Sequence, residues 1–107
     1  MFLRMYVEAK REDFVMQIAG KVLGHIKLRR ISKQVIKPYW KIEGIYVIEV
    51  EMDLQPEINE NDIIQALLPI AENWITFEDP VNEILVSDTA DECKIKLPEI
   101  KMINIHF

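Results

Sequence analysis

The sequence predicts one α+β domain over residues 1–107, in which two helices cover one face of an antiparallel sheet. Half of the 107 residues are apolar and only three are glycine, a composition typical of a globular protein. Two segments have apolar residues at helical spacing. Before, between and after them lie segments in which apolar and polar residues alternate. This pattern predicts the element order β-α-β-β-α-β-β, which is roughly ferredoxin-like.

The first strand and the first helix follow directly from the pattern. Residues 1–9 alternate between an apolar and a polar side, as in a strand with one buried face. Asp13 can cap the helix that follows, and Gly24 suits the position just past its end. The apolar positions of this helix are Phe14, Val15, Ile18, Ala19, Val22 and Leu23.

The sequence pattern is weak for the second strand and clear for the third. Residues 25–31 alternate weakly, and Pro38 should end any ladder because proline has no amide hydrogen to donate. A long strand follows, which turns near Glu43 and Gly44 or continues through them. Its two faces are Tyr46, Ile48, Val50, Met52 and Leu54 on one side, and Ile45, Val47, Glu49, Glu51 and Asp53 on the other.

The second helix has a predicted start and a predicted break. Asn59 can serve as its N-cap, with Asp62 three residues on. Pro69 should kink the helix or end its regular part, because it removes a backbone hydrogen bond. Short strands at 83–87 and 94–106 complete the chain. The apolar stripe of this helix is Ile63, Ile64, Leu67, Leu68, Ala71 and Trp74.

Charge is segregated along the chain. Residues 1–41 carry a net charge of +7, residues 42–93 carry −14 and residues 94–107 carry +2, which gives the total of −5. No lysine, arginine or histidine occurs in the acidic span. Charge separated in this way usually becomes a one-sign surface that steers a partner of opposite sign. The sequence therefore favours binding over catalysis.

A row of three carboxylates is the sharpest local feature of the acidic span. Glu49, Glu51 and Asp53 lie on one face of their strand, about 7 Å apart along it. Phosphates along a nucleic-acid strand have a comparable spacing, so such a row can occupy a cationic nucleic-acid groove on another protein. The alternative is a solvated sheet face that carries charge for solubility.

A second acidic cluster lies in the segment FEDPVNEILVSDTADE, where Pro80 and Asn82 mark a turn. Nearby aromatic residues could anchor an interface, although Trp74 could instead close the helix stripe as a core residue. The predicted partner-binding residues are Glu49, Glu51, Asp53, Trp74, Phe77, Glu78, Asp79 and Glu83.

The basic block 27–41 has three interpretations. Its cations alternate with Tyr39 and Trp40, a pattern found in single-strand RNA-binding surfaces. A second interpretation is a strand fringed by lysines beside a core tryptophan. A third is that the block contacts the acidic span of the same molecule or of a second copy.

The sequence contains no motif for catalysis, cofactor binding or metal binding. His25 and His106 have no ligand partner at suitable spacing, and three glycines nearly exclude a nucleotide-phosphate loop. We therefore expect no enzymatic activity, no cofactor and no metal. The absence of a secretory signal or a membrane-length apolar run, together with the single Cys93, predicts a cytoplasmic protein.

In size, in its acidic span 42–93 and in the carboxylate row of Glu49, Glu51 and Asp53, the chain resembles the immunity proteins of bacterial polymorphic toxins. Those of contact-dependent growth inhibition systems are the closest comparison. The resemblance implies a cytoplasmic inhibitor that neutralises a basic cognate toxin domain, expected to be a nuclease, by tight complex formation. The absence of acidic residues from the longer segment 14–42 leaves open whether the toxin-facing surface is acidic, mixed or apolar.

Two other functions remain open. One is a small nucleic-acid-binding module that uses the block 27–41, although the acidic chain makes a nucleic-acid partner the weaker expectation. The other is a regulatory domain that binds a small molecule on the sheet face away from the helices or at a dimer seam.

Overall fold

The computed structural model describes residues 1–79 and 82–107, which form two helices and two antiparallel sheets. The main sheet has the strand order β2-β3-β1-β8-β6-β5, and β4 pairs with β7. All strand pairs are antiparallel. The elements are β1 (Phe2–Glu8), α1 (Glu12–Leu23), β2 (Leu28–Pro38), β3 (Ile45–Leu54), α2 (Glu60–Ala66), β4 (Ala71–Glu72), β5 (Ile75–Phe77), β6 (Glu83–Ser87), β7 (Lys94–Ile95) and β8 (Ile100–His106).

One face of the main sheet is buried beneath both helices. The alternation predicted for the first strand places Leu3, Met5 and Val7 in the core. Buried residues of both helices belong to the same hydrophobic cluster as this face: Val15, Ile18, Ala19 and Val22 from α1, Ile63 from α2, and Leu67 at its end. We call the other side of the main sheet, where Arg4 and Glu49 lie, the open face, because neither helix packs on it.

The α+β class, the antiparallel sheet and the two helices are confirmed. The predicted order β-α-β-β-α-β-β is wrong, because the described residues form eight strands. The segment 94–106 is divided into β7 and β8, and Pro98, which cannot donate to a ladder, lies between them. Strands β4 and β5 were not predicted, because two or three residues are too few to establish an alternation.

The prediction for β2 is wrong in both of its bounds. The strand begins at Leu28 and continues to Pro38, which pairs with Tyr46 as the last residue of the ladder. Because β2 is an edge strand and mostly exposed, its sequence lacks the alternation that one-sided burial imposes. An edge strand also tolerates a terminal proline, since one side of its backbone has no partner strand.

The predicted cap of α2 is confirmed as a capping box. Asn59 Oδ1 accepts a hydrogen bond from the Asp62 backbone N–H at 2.9 Å, and Asp62 Oδ2 accepts one from the Asn59 backbone N–H at 3.0 Å. The helix ends at Ala66, before Pro69, so the proline lies beyond the regular part. Trp74 therefore lies outside the helix whose stripe it was expected to close.

The ends of α1 agree only in part with the prediction. The N-cap is Arg11 and not Asp13, and it makes no side-chain capping bond. Asp13 instead pairs with Arg11, with 3.2 Å between Oδ2 and Nη2. Gly24 is the C-cap, as expected. Neither helix of the described residues has the length and apolar content needed to cross a membrane.

Candidate protein-binding face

The open face is a set of side chains that the strand register aligns in rows across the sheet. Residues directly opposite one another on paired strands point to the same side, so each row mixes residues from distant parts of the sequence. Three rows are Lys33, Glu51, Phe2, His106 and Glu83; Val35, Glu49, Arg4, Asn104 and Leu85; and Lys37, Val47, Tyr6, Met102 and Ser87.

Glu49, at the centre of the predicted carboxylate row, is paired with two cations of its own chain. Its Oε2 atom accepts hydrogen bonds from Arg4 Nη2 at 2.8 Å and from Arg4 Nε at 3.1 Å. Its Oε1 atom lies 3.6 Å from Lys37 Nζ. The hydrogen bond from Arg4 is the main reason why the pKa of Glu49 is lowered, while partial burial opposes the change.

The other two carboxylates of the row differ from each other. Asp53 Oδ2 lies 2.7 Å from Arg30 Nε, across the β2–β3 pair. Glu51 lies opposite Lys33 in the ladder, yet its carboxylate makes no ion pair or hydrogen bond with the described residues. The row faces outward as predicted, but cations of β1 and β2 neutralise two of its three charges. The basic block therefore contacts the acidic span within one molecule.

Three predicted residues of the second acidic cluster lie at one end of the β5–β6 pair and differ in their partners. Glu83 Oε2 accepts a hydrogen bond from Asn104 Nδ2 at 3.2 Å and lies 2.9 Å from His106 Nε2. Glu78 and Asp79 follow the edge strand β5, are exposed, and form no ion pair within the described part of the chain. Pro80, which was predicted to mark the turn, lies outside the described residues.

The two predicted aromatic anchors have different environments. Phe77 is exposed and lies opposite Glu83 at the β5 edge, next to the other acidic residues. Trp74 is half-buried against the core, and its Nε1 atom donates a hydrogen bond to the Ala71 carbonyl oxygen at 3.1 Å. Because Trp74 packs partly against its own core, less of its surface is available to a partner. That these residues bind a partner stays a prediction.

An aromatic patch that the predicted site did not include lies at one end of the open face. It consists of Tyr6, Tyr39, Trp40 and Ile42. The Tyr6 and Tyr39 rings meet edge-to-face with centroids 5.0 Å apart, and the Tyr39 and Trp40 centroids are 6.2 Å apart. Trp40 is 82% exposed and Ile42 is 56% exposed, so the interpretation of Trp40 as a core residue is wrong.

A sequence signal for this patch does exist. The segment Tyr39–Ile42 lies between Pro38, where β2 ends, and Gly44, which has a φ of 84°. A proline and a glycine on either side, both of which interrupt regular structure, indicate a short turn at the edge of a sheet. Large apolar side chains in such a turn cannot reach the core. Such residues remain in water unless another molecule covers them.

A cavity of about 390 Å³ opens beside the patch. Apolar and aromatic side chains form most of its lining, and an acid and a base also contribute. The lining residues are Tyr6, Tyr39, Ile42, Ile45, Ser87, Asp88, Lys101 and Met102. This volume lies within the range of sites that hold a small molecule or one large side chain.

Within residues 1–79 and 82–107, no three histidine, cysteine, aspartate or glutamate side chains come together in a geometry that could hold a metal ion. Comparisons with protein-family models, with curated proteins and with solved structures give no match to this chain. The functional interpretation therefore depends on the geometry of the open face.

Proposed function

We propose that this protein acts by forming a complex, as an immunity protein that neutralises a cognate protein toxin in the cytoplasm. The observation that carries the proposal is the exposure of Trp40 and Ile42 beside Tyr6 and Tyr39. Tryptophan and tyrosine dominate the energetic centres of protein interfaces, because they bury a large apolar area with little loss of side-chain freedom. The aromatic patch is the proposed centre of the interface.

The charged rows beside the patch support a polar rim. Glu49, Arg4 and Lys37 form a connected network, and charges of this kind contribute to partner selectivity and encounter rate more than to affinity. The net charge of −5 still attracts a basic partner at long range. A basic nuclease domain is the partner that the resemblance to immunity proteins implies.

Direct binding of nucleic acid has less support. Lys37 and Arg30, two cations of the basic block, are paired with Glu49 and Asp53, so phosphates would have to displace carboxylates that are already in place. The exposed ring of Trp40 could stack on a base, and Lys41 Nζ lies 5.1 Å from its centroid. The pairing of Arg30 and Lys37 and the net charge of −5 nevertheless reduce the attraction for phosphates. The immunity proposal predicts no measurable affinity for naked RNA.

A ligand-binding regulatory domain is the second candidate function. The cavity of about 390 Å³ lies on the sheet face away from the helices, where such a ligand was expected. Its lining is largely apolar and includes a few polar groups, which is typical of small-molecule sites. A metabolite that binds without any protein partner would favour this candidate.

The direct test begins with the neighbouring reading frame, which should encode a large toxin with a basic C-terminal domain. We expect the purified chain to bind that domain tightly in calorimetry and to protect cells that express it. Trp40→Ala and Ile42→Ala should each weaken binding by at least about tenfold.

Met16→Ala is the matched control for these variants. Met16 is also 56% exposed, but it lies on α1, on the opposite side of the sheet from the open face. Its truncation removes a similar exposed apolar group and should leave the affinity unchanged. Undiminished binding by both patch variants would remove the aromatic patch from the interface, and the absence of any bound toxin would refute the function.

A further inference from the structure

The cavity beside the aromatic patch is lined in part by Asp88, whose carboxylate forms a long ion pair with Lys101. Asp88 Oδ2 lies 3.9 Å from Lys101 Nζ, beyond hydrogen-bond distance. Lys101 Nζ instead donates to the Pro98 carbonyl oxygen at 3.1 Å. Among the described residues, no group donates a hydrogen bond to the Asp88 carboxylate. An ionised carboxylate is acceptor-only, so this group can receive donors from another molecule.

The rings of Tyr6 and Tyr39 form a second wall of the same cavity. Their centroids are 5.0 Å apart and their planes meet at 60°, so the rings pack edge-to-face, and both residues line the cavity. Aromatic faces carry negative electrostatic potential and attract cations, arginine most often. A guanidinium group is planar, stacks on such rings, and offers two parallel N–H donors to a carboxylate.

We propose that this cavity binds an arginine side chain of the partner protein, a specification that rests on the proposed function. The guanidinium would stack on a tyrosine ring of this cavity wall and donate hydrogen bonds to Asp88, while its methylene stem contacts Met102 and Ile45. The acidic net charge of the chain favours a basic partner with such a residue on its surface.

Lys101 would repel a cation in this cavity. Its substitution therefore tests whether the bound group carries a positive charge, a negative charge or none. An arginine occupant uses Asp88 and is repelled by Lys101, whereas an anionic occupant would use Lys101 and be repelled by Asp88. An apolar occupant would depend on neither charge. Substitution of the two residues therefore separates the three kinds of ligand.

The experiment is a titration of the full chain with N-acetyl-argininamide, followed through the backbone amide chemical shifts. We expect saturable shifts at residues that line the cavity, with weak affinity, because the probe carries only one side chain. Asp88→Asn should reduce this affinity at least fivefold, and Lys101→Met should increase it. The amide spectra also show directly whether each variant is folded.

Two matched probes provide the contrary outcomes. N-acetyl-leucinamide tests for an apolar site, and N-acetyl-glutamic acid amide tests for an anionic one. The proposal is overturned if argininamide gives no saturable shifts, if leucinamide binds equally well, or if Lys101→Met weakens the binding of argininamide. Tyr39→Leu should weaken the binding of argininamide, because it removes an aromatic stacking surface.

These measurements need no toxin, so they separate this inference from the proposed function. If the toxin binds but argininamide does not, only the arginine site is wrong. If argininamide binds at the cavity but no toxin partner exists, the site remains and the immunity function fails.

Discussion

Arg4 lies directly across the β1–β3 ladder from Glu49, and its Nε and Nη2 atoms both donate to the same carboxylate oxygen, at 3.1 and 2.8 Å. Lys37 approaches the other oxygen at 3.6 Å from the opposite strand. The centre of the acidic row is thus held between two cations of its own chain. This part of the open face is a network of alternating charges and not a negative surface.

The Arg4–Glu49 pair should make stability depend on pH. Because the pKa of Glu49 is lowered from its ordinary 4.5, the unfolded chain binds a proton here more readily than the folded protein does. The contribution of this pair is therefore complete above the ordinary pKa and is lost as the pH falls through the lower, folded pKa. We expect the free energy of unfolding, measured by urea denaturation, to fall less over this acidic range in Glu49→Gln than in the wild-type protein.

Glu72 provides the matched comparison for this measurement. Its pKa is also lowered, mainly by the hydrogen bond from Lys96, so its contribution is likewise lost as the pH falls below the ordinary value. Each single substitution should therefore remove part of the acid sensitivity, and the double variant should remove more. An unchanged pH profile in Glu49→Gln would contradict the assignment of this pair.

The neutralisation of the acidic row by β2 can be tested by exchanging charges. Asp53→Arg sets two guanidinium groups against each other across the β2–β3 pair and should lower the free energy of unfolding by about 0.5–1 kcal/mol. Adding Arg30→Asp restores opposite charges and should recover most of this loss. The coupling energy from the double-mutant cycle, measured by chemical denaturation, should shrink in high salt.

Glu78→Arg is the control for the charge exchange. Glu78 is exposed and has no ion-pair partner within the described part of the chain, so its reversal should leave the stability nearly unchanged. A coupling energy of zero between Arg30 and Asp53 would mean that the pair contributes nothing, and that Asp53 is available to a partner after all.

Most of the main sheet could be predicted because one-sided burial leaves a period in the sequence. Strand β1 and helix α1 bury one side each, and β3 does so except for Val47, which is also buried. Their alternation or helical spacing gave their approximate positions. Strand β2 is an edge strand exposed on both sides, so burial imposes no period on it. The bounds of β2 were therefore predicted wrongly, because burial does not constrain which of its side chains are polar.

The electrostatics of the site could be predicted only in part. Alternation alone places Glu49, Glu51 and Asp53 on the same side of their strand. Their neutralisation depends on which strands become neighbours, and Arg4 and Glu49 are 45 positions apart in sequence. Charge blocks separated along the chain were expected to form separated surfaces, but antiparallel pairing of β2 with β3 sets the basic block against the acidic one.

Two glycines should respond in opposite ways to the same substitution. Gly44 has a φ of 84°, a conformation that alanine adopts only with strain, so Gly44→Ala should lower the free energy of unfolding by about 1 kcal/mol. Gly20 lies within α1 with open space around the added methyl group, so Gly20→Ala should raise it by about 1 kcal/mol. Thermal or urea denaturation measures both.

The Gly44 variant also bears on function, because this residue closes the loop that carries the aromatic patch. If its backbone conformation fixes the loop, Gly44→Ala should weaken toxin binding while Gly20→Ala leaves it unchanged. A Gly44→Ala variant as stable as the wild-type protein would show that the loop does not need the left-handed conformation.

Electrostatic capture of a basic partner should depend on the carboxylates that the chain itself leaves available. Glu51, Glu78 and Asp79 form no ion pair with the described residues, unlike Glu49 and Asp53, and Glu83 already accepts a hydrogen bond from Asn104. Reversing these three to lysine should slow association with the toxin by at least about tenfold at low salt, with a smaller change in dissociation. The difference should diminish as added salt screens the charges.

A second triple reversal separates the position of the charges from the net charge as the source of this steering. Lysine at Glu57, Asp91 and Glu92 gives the same net charge, but these residues lie in the segments before α2 and before β7, and not on β3 or directly after β5. Association rates measured by stopped flow should fall less in this control, because steering is strongest where the charges line the docking surface. Equal slowing in both variants would assign capture to the overall charge, and no slowing in the first would exclude these carboxylates from the encounter.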